Sequence, residues 1–141
     1  MLRSEIIINA TAEHIWSVLA DFASYPTWNP FLTDIRGNAF LGKQLTIKAK
    51  LHHLPTIAFH ATITTLQPPV QLGWRAIFWK GVFEVFHSFE IEQLADERCR
   101  LIHNEEFSGS LCKPVIFLLE RKFRKGYQTM NEALKARVER R

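Results

Sequence analysis

The spacing of apolar residues changes period twice along the 141-residue chain. Residues 2–9, LRSEIIIN, read as a strand that ends at Asn9. In TAEHIWSVLADF, Ile15, Val18, Leu19 and Phe22 fall at i, i+3, i+4 and i+7, the spacing of one buried helical face. Thr11 is placed to cap this helix, and Glu13 lies in its first turn, where a carboxylate suits the helix dipole. The next stretch, FASYPTWNPF, gathers Phe22, Tyr25, Trp28 and Phe31 around Pro26 and Pro30, and the prolines forbid a regular helix through it.

From Phe31 to Gly109 the period is two, the mark of strands with one buried face. FLTDIRG is a short strand closed by Gly37. QLTIKAKLHH sets Leu45, Ile47, Ala49, Leu51 and His53 on one face, with His52 on the other. A bend at Pro55 leads into TIAFHATITT, where Ile57, Phe59, Ala61 and Ile63 oppose an outward face carrying His60. The prolines of QPP, 67–69, break the ladder because they supply no donors. Three more strands follow. Their inward faces are Leu72, Trp74, Ala76 and Phe78; then Phe83, Val85, His87, Phe89 and Ile91; then Cys99, Leu101, His103, Glu105 and Phe107. After Gly109 the helical period returns, with Pro114 near the start and one apolar stripe from Ile116 through Leu119, Phe123, Tyr127, Met130 and Leu134 to Val138. Gly126 inside that stripe marks a bend or a close approach.

The order is strand, two short helical segments, about six strands and a long C-terminal helix. Consecutive antiparallel strands with helices on one face give an α+β fold. A sheet with one polar face must curl its apolar face around something, and the C-terminal helix is the element long enough to occupy that concavity. Without repeats or linkers, residues 1–141 are expected to form one domain.

Composition adds one anomaly: eleven Phe and four Trp in a chain this short. Such side chains build a thick core or wall a cavity. No run of 18 apolar residues exists, so no membrane span is expected, and the three-residue apolar run near the start is too short for a signal peptide. Two cysteines, Cys99 and Cys112, make neither a disulfide framework nor a zinc site, and a cytoplasmic setting is expected. The net charge of +4 is uneven: residues 113–141 hold nine Lys/Arg against three Glu, which leaves the rest of the chain at −2. The basic segment reads first as the solvated face of the terminal helix. Nucleic-acid binding is not expected, because no reading element accompanies the charge.

The chain resembles the START / birch-pollen-allergen / polyketide cyclase superfamily (SRPBCC), and within it the polyketide cyclase/dehydrase-type branch. The resemblance rests on IIINATAEHIWSVLADFASYPTWNPF with Trp16, Asp21 and the YPxWNPF turn, on LGKQLTI with Gly42, on LQPPVQLGWR, and on EEFSGSL leading into GYQTMNEALKARVE. It implies a helix-grip fold: a curved antiparallel sheet of six to seven strands wrapped around the C-terminal helix, with two short helices between strands 1 and 2. It also implies a hydrophobic cavity between sheet and helix, used in relatives for lipids, polyketides or quinones. The expected partner is therefore a hydrophobic small molecule, with no integral membrane association and a monomer or weak homodimer as the assembly.

The expected ligand-binding residues are Trp28, Phe31, Phe59, Trp74, Phe83, Phe89, Leu119 and Phe123, together with the polar groups His87, His103 and Glu105. In this reading Tyr25, Trp28 and Phe31 close one end of the cavity, and Arg121 or Arg124 stands near its mouth. His87, His103 and Glu105 share inward faces of two strands joined by a short turn, so they are candidate acid/base groups, as an aldol cyclisation of an enolisable carbonyl requires. The alternative is that they are buried groups that satisfy one another or orient a ligand. A β-bulge in either strand would turn one of them outward. No metal or cofactor is expected: His52 and His53 are adjacent and point to opposite faces of a strand, and no dinucleotide or phosphate-loop motif occurs. FSGS at 107–110 lacks the spacing of a nucleophile elbow. Three functions stay open: a binder of an apolar ligand, a cyclase/dehydratase-type enzyme, and a protein-interaction module of the chaperone-activator or toxin-like kind. The last would use the outer sheet face, where Trp79 and Phe86 are the large apolar residues, or the basic helix.

Overall fold

The computed structural model describes residues 1–140; Arg141, the last residue of the expected domain, lies outside the described residues. Seven antiparallel strands form one sheet in the order β1-β7-β6-β5-β4-β3-β2. They are β1 (Leu2–Ile8), β2 (Leu32–Arg36), β3 (Gln44–Ala49), β4 (Ile57–Gln67), β5 (Gln71–Trp79), β6 (Phe83–Ala95) and β7 (Arg98–Ser108). Strands β2 to β7 each pair with the next in sequence, and β1 returns to pair with β7, so β1 and β2 lie at opposite edges. The chain between them crosses from one edge to the other, and it does so as helix α1 (Ala12–Leu19) and a 3-10 helix (Phe22–Thr27). The sheet curls into a half-barrel around helix α2 (Cys112–Glu139), the helix-grip arrangement.

Local chemistry accounts for the boundaries. The Thr11 hydroxyl accepts the His14 N–H at 3.2 Å and caps α1. The helix stops at Leu19, three residues before the periodicity ends, because Phe22 opens the 3-10 helix that contains Pro26. Asn29 Oδ1 accepts the N–H groups of Phe31 and Leu32, both at 2.9 Å, and fixes the entry to β2. Strand β3 ends at Ala49 and does not run through His53: Leu54 N–H bonds to Leu51 O, and His53 takes a φ of 63°, so this histidine is exposed in a turn instead of facing inward.

The long helix corrects a simpler expectation. Its apolar stripe does not fill the concavity uniformly. Tyr127, Met130, Leu134 and Val138 are fully buried, whereas Ile116, Leu119 and Phe123 are only half-buried. Residues 127–138 complete the core; residues 112–125 roof a hollow. Gly126 stands at the division. A Cβ there would lie 2.6 Å from Cδ1 of Phe31, whose ring is packed edge-on against Tyr127 at 5.6 Å. The glycine therefore marks a close approach. Alanine at this position gains about 1 kcal/mol of helix propensity but overpacks by about 1–3 kcal/mol. Gly126→Ala is expected to lower stability by about 1 kcal/mol in urea denaturation, and to become stabilising once Phe31→Ala makes room.

Candidate functional site

Between the sheet and the roof half of α2 lies a cavity of about 410 Å³. Phe31, Phe59, Trp74 and Phe83 line it from the sheet side, and Leu119 and Phe123 from α2. Ala49, Ile57, Ala76, Phe78, Val85 and Val115 add further apolar wall. Among the described residues, the titratable side chains that reach it are His87 and Glu105.

Strand register brings these two together. The β6–β7 pairing runs without a shift from Glu84↔Ser108 to Gln93↔Cys99, so no bulge disturbs the alternation there. His87 is directly opposite Glu105, and His103 is opposite Phe89, diagonal to His87. His87 is also opposite Trp74 on β5, and the two rings stack with centroids 5.1 Å apart and planes 19° apart. On the far side, Ser4 of β1 is opposite His103. Helix α2 crosses this row with matching spacing. One helical turn advances about 5.4 Å and two strand residues about 6.8 Å, so Tyr127 meets Glu105 and Asn131 meets His103.

The result is a continuous chain of hydrogen bonds. Tyr127 Oη donates to Glu105 Oε1 at 2.6 Å, and Glu105 Oε2 lies 2.5 Å from His87 Nδ1. His87 Nε2 is 2.6 Å from His103 Nε2, His103 Nδ1 is 3.1 Å from Asn131 Oδ1, and Asn131 Nδ2 donates to Ser4 Oγ at 2.8 Å. All but Ser4 are buried. Burial, followed by the neighbouring His87, holds the His103 pKa well below its usual 6.5, so this ring is neutral. Burial and the adjacent Glu105 raise the Tyr127 pKa, so its hydroxyl stays a donor.

Several expected site residues take other positions. His103 is fully buried behind His87 and does not touch the cavity. Phe89 is likewise fully buried, 4.4 Å from the His103 ring, and supports the wall from behind. Trp28 is half-buried and packs edge-on against Tyr25 at 5.0 Å, outside the cavity. Tyr25 is buried with its hydroxyl on Leu19 O at 2.5 Å, so of the aromatic turn only Phe31 reaches the cavity. Arg124 pairs with Glu120 at 3.3 Å, and neither Arg121 nor Arg124 lines the hollow. Trp79 is exposed at the end of β5, past a register shift, where it borders a hollow with Phe78, Phe83, Leu111 and Val115, and Phe86 covers Gly73, where a Cβ would lie 3.2 Å from the ring. Among the described residues no group of three His, Cys, Asp or Glu side chains is placed to hold a metal ion.

Sequence reading missed Asn131 and Ser4, and took Tyr127 only as part of an apolar stripe. The signal was present. Asn131 follows Tyr127 by four residues and precedes Leu134 by three, which places a polar amide inside the buried arc of α2.

A curled antiparallel sheet gripping a long helix over an apolar cavity defines a hydrophobic ligand-binding fold of the START/SRPBCC class. A family model described as "Polyketide cyclase / dehydrase and lipid transport" matches residues 2–139, and the chain belongs to that family. Among solved structures, it is similar to the Zhui aromatase/cyclase from Streptomyces sp. R1128 (TM-score 0.81, 15% identity, covering 99% of this chain and 93% of that one). It is also similar to a START superfamily protein from Mycobacterium smegmatis (0.73, 18%, 98% and 96%) and to norcoclaurine synthase from Thalictrum flavum (0.73, 13%, 97% and 92%). No curated protein sequence matches the chain. Among the described residues no helix is long and apolar enough to cross a membrane.

Proposed function

We propose that the protein binds an apolar small molecule of lipid, quinone or polyketide type, with one polar group directed at His87 and Glu105. The observation that carries this reading is the cavity of about 410 Å³, apolar on every side except at that pair. Its size lies within the range of small-molecule sites, about 300–1,000 Å³, in which a few polar groups fix orientation. The test is uptake of an environment-sensitive naphthalene dye, with competition by a fatty acid or a quinone. Ala76 lines the cavity, so Ala76→Trp fills it from a β5 position. Dye affinity is expected to fall at least about tenfold in that variant while far-UV circular dichroism is retained. Equal uptake by both proteins refutes the cavity as the binding site.

A second reading, a cyclase/dehydratase-type enzyme, is favoured by one contact. His87 Nδ1 and Glu105 Oε2 share a 2.5 Å hydrogen bond in the cavity wall, within reach of any occupant. Such a pair is fitted to general acid/base work on a carbonyl. Turnover of a polyketone by the native protein, with loss in His87→Phe and retention in Trp28→Phe, supports it; turnover undiminished in His87→Phe removes it.

A further inference from the structure

The hydrogen-bond chain behind the cavity wall has a direction. Asn131 donates through Nδ2 to Ser4, which leaves Oδ1, an acceptor, facing His103 Nδ1. His103 must then carry its proton on Nδ1. Burial and the neighbouring His87 keep the ring neutral, so its Nε2 is a bare lone pair. The 2.6 Å contact between the two Nε2 atoms holds one proton, and it belongs to His87. With Nε2 of His87 occupied, its Nδ1 can face Glu105 in two ways. Either His87 is neutral and Glu105 is a carboxylic acid, or His87 is imidazolium and Glu105 is carboxylate. Both place one mobile proton in the 2.5 Å contact, and both leave the pair without net charge. Tyr127, a donor to Glu105 Oε1, is compatible with each.

Reversing the Asn131 amide reverses every donor. His103 then donates through Nε2, His87 donates through Nδ1, and Glu105 is an unprotonated carboxylate, so the wall carries one proton fewer. The two polarities differ by a unit of charge at the cavity surface.

We propose that Asn131, anchored by Ser4, sets the tautomer of His103 and thereby keeps one proton stored between His87 and Glu105, which leaves the cavity wall without net charge and fits the site to an uncharged ligand and not a cationic amine. Ser4, Asn131 and His103 touch no ligand; they are positioning residues that act through His87. This rests on the binding reading above, and deepens it by giving the charge of the occupant.

Histidine ring ¹⁵N NMR of the whole protein reads the polarity without a ligand. The expected result is His103 protonated at Nδ1 and His87 at Nε2. His103 protonated at Nε2 overturns the proposal. Asn131→Asp, whose carboxylate only accepts, is expected to keep the native His103 tautomer, and Asn131→Leu to lose it. An unchanged tautomer in a folded Asn131→Leu shows that the amide does not set it. The occupant is tested with 1-acetylnaphthalene and 1-(1-naphthyl)ethylamine, which are similar in size but differ in charge at neutral pH. The ketone is expected to bind at least about tenfold more tightly at neutral pH, because the ammonium must give up its hydration with no counter-charge in the wall. Equal binding, or tighter binding of the amine, overturns the ligand preference. Uptake of neither probe refutes the binding reading, while the tautomers still decide the polarity.

Discussion

Replacing Glu105 with alanine is expected to cost about 3–5 kcal/mol of folding stability, because it removes one partner from a buried, hydrogen-bonded pair. Glu105 and His87 are both nearly inaccessible, with side chains 6% and 4% exposed. Alanine leaves two buried polar groups without their partners, His87 Nδ1 and the Tyr127 hydroxyl. Glu105→Gln separates this loss from the loss of charge. Its amide can donate to His87 and accept from Tyr127, so it keeps the shape of the protonated acid. It is expected to cost only about 1 kcal/mol. Urea denaturation checks both, with an unchanged m-value showing that the native and unfolded states keep their exposure difference. A Glu105→Ala loss below 1 kcal/mol means the chain from Tyr127 to Ser4 is not structurally coupled.

Trp74→Ala is expected to be as damaging, about 3–5 kcal/mol, for a different reason. Trp74 is 1% exposed and holds together three neighbours: Phe22 at 6.2 Å, His87 at 5.1 Å and Phe89 at 5.7 Å. It also lines the cavity, so truncation enlarges a hollow that already exists. The variant should therefore regain part of its loss when a bulkier apolar ligand is added, in proportion to the logarithm of ligand concentration over Kd. Thermal melts with and without such a ligand measure the recovery. No recovery separates Trp74 from the ligand site and leaves it a core residue alone.

Much of this was legible along the chain because alternation is a local property. The inward faces of β5, β6 and β7 follow from period two, and His87 and Glu105 stand out as polar residues on apolar faces. Depth was not legible. Period two places His103 and His87 on the same face, but only the diagonal register and the descent of α2 onto β7 put one behind the other. Trp28 misled in the same way: its neighbours in sequence are aromatic, yet the 3-10 helix turns its ring onto Tyr25 and away from the hollow. Asn131 was hidden by the reverse problem. A single amide in a helical stripe hardly disturbs the hydrophobic pattern, and its partners lie 28 and 127 residues away.

The division of α2 at Gly126 has a kinetic consequence. A helix of about 14 residues is marginal in water without tertiary support, and residues 112–125 have little: Phe117 and Leu118 are 87% and 74% exposed, Val115 and Leu119 face the hollow, and Phe123 packs on Phe107 with ring centroids 5.2 Å apart. One outer tether is the Lys122 ammonium on His52 O, 2.6 Å away. This stretch can unwind as a separate cooperative unit while residues 127–138, and the buried imidazoles beneath them, stay folded. Its amides should exchange with solvent long before those of the anchored half. An occupant that fills the hollow slows that exchange by supplying the missing apolar contacts. If residues 112–125 open first, a ligand of the proposed kind gains a route into the hollow that leaves residues 127–138 in place.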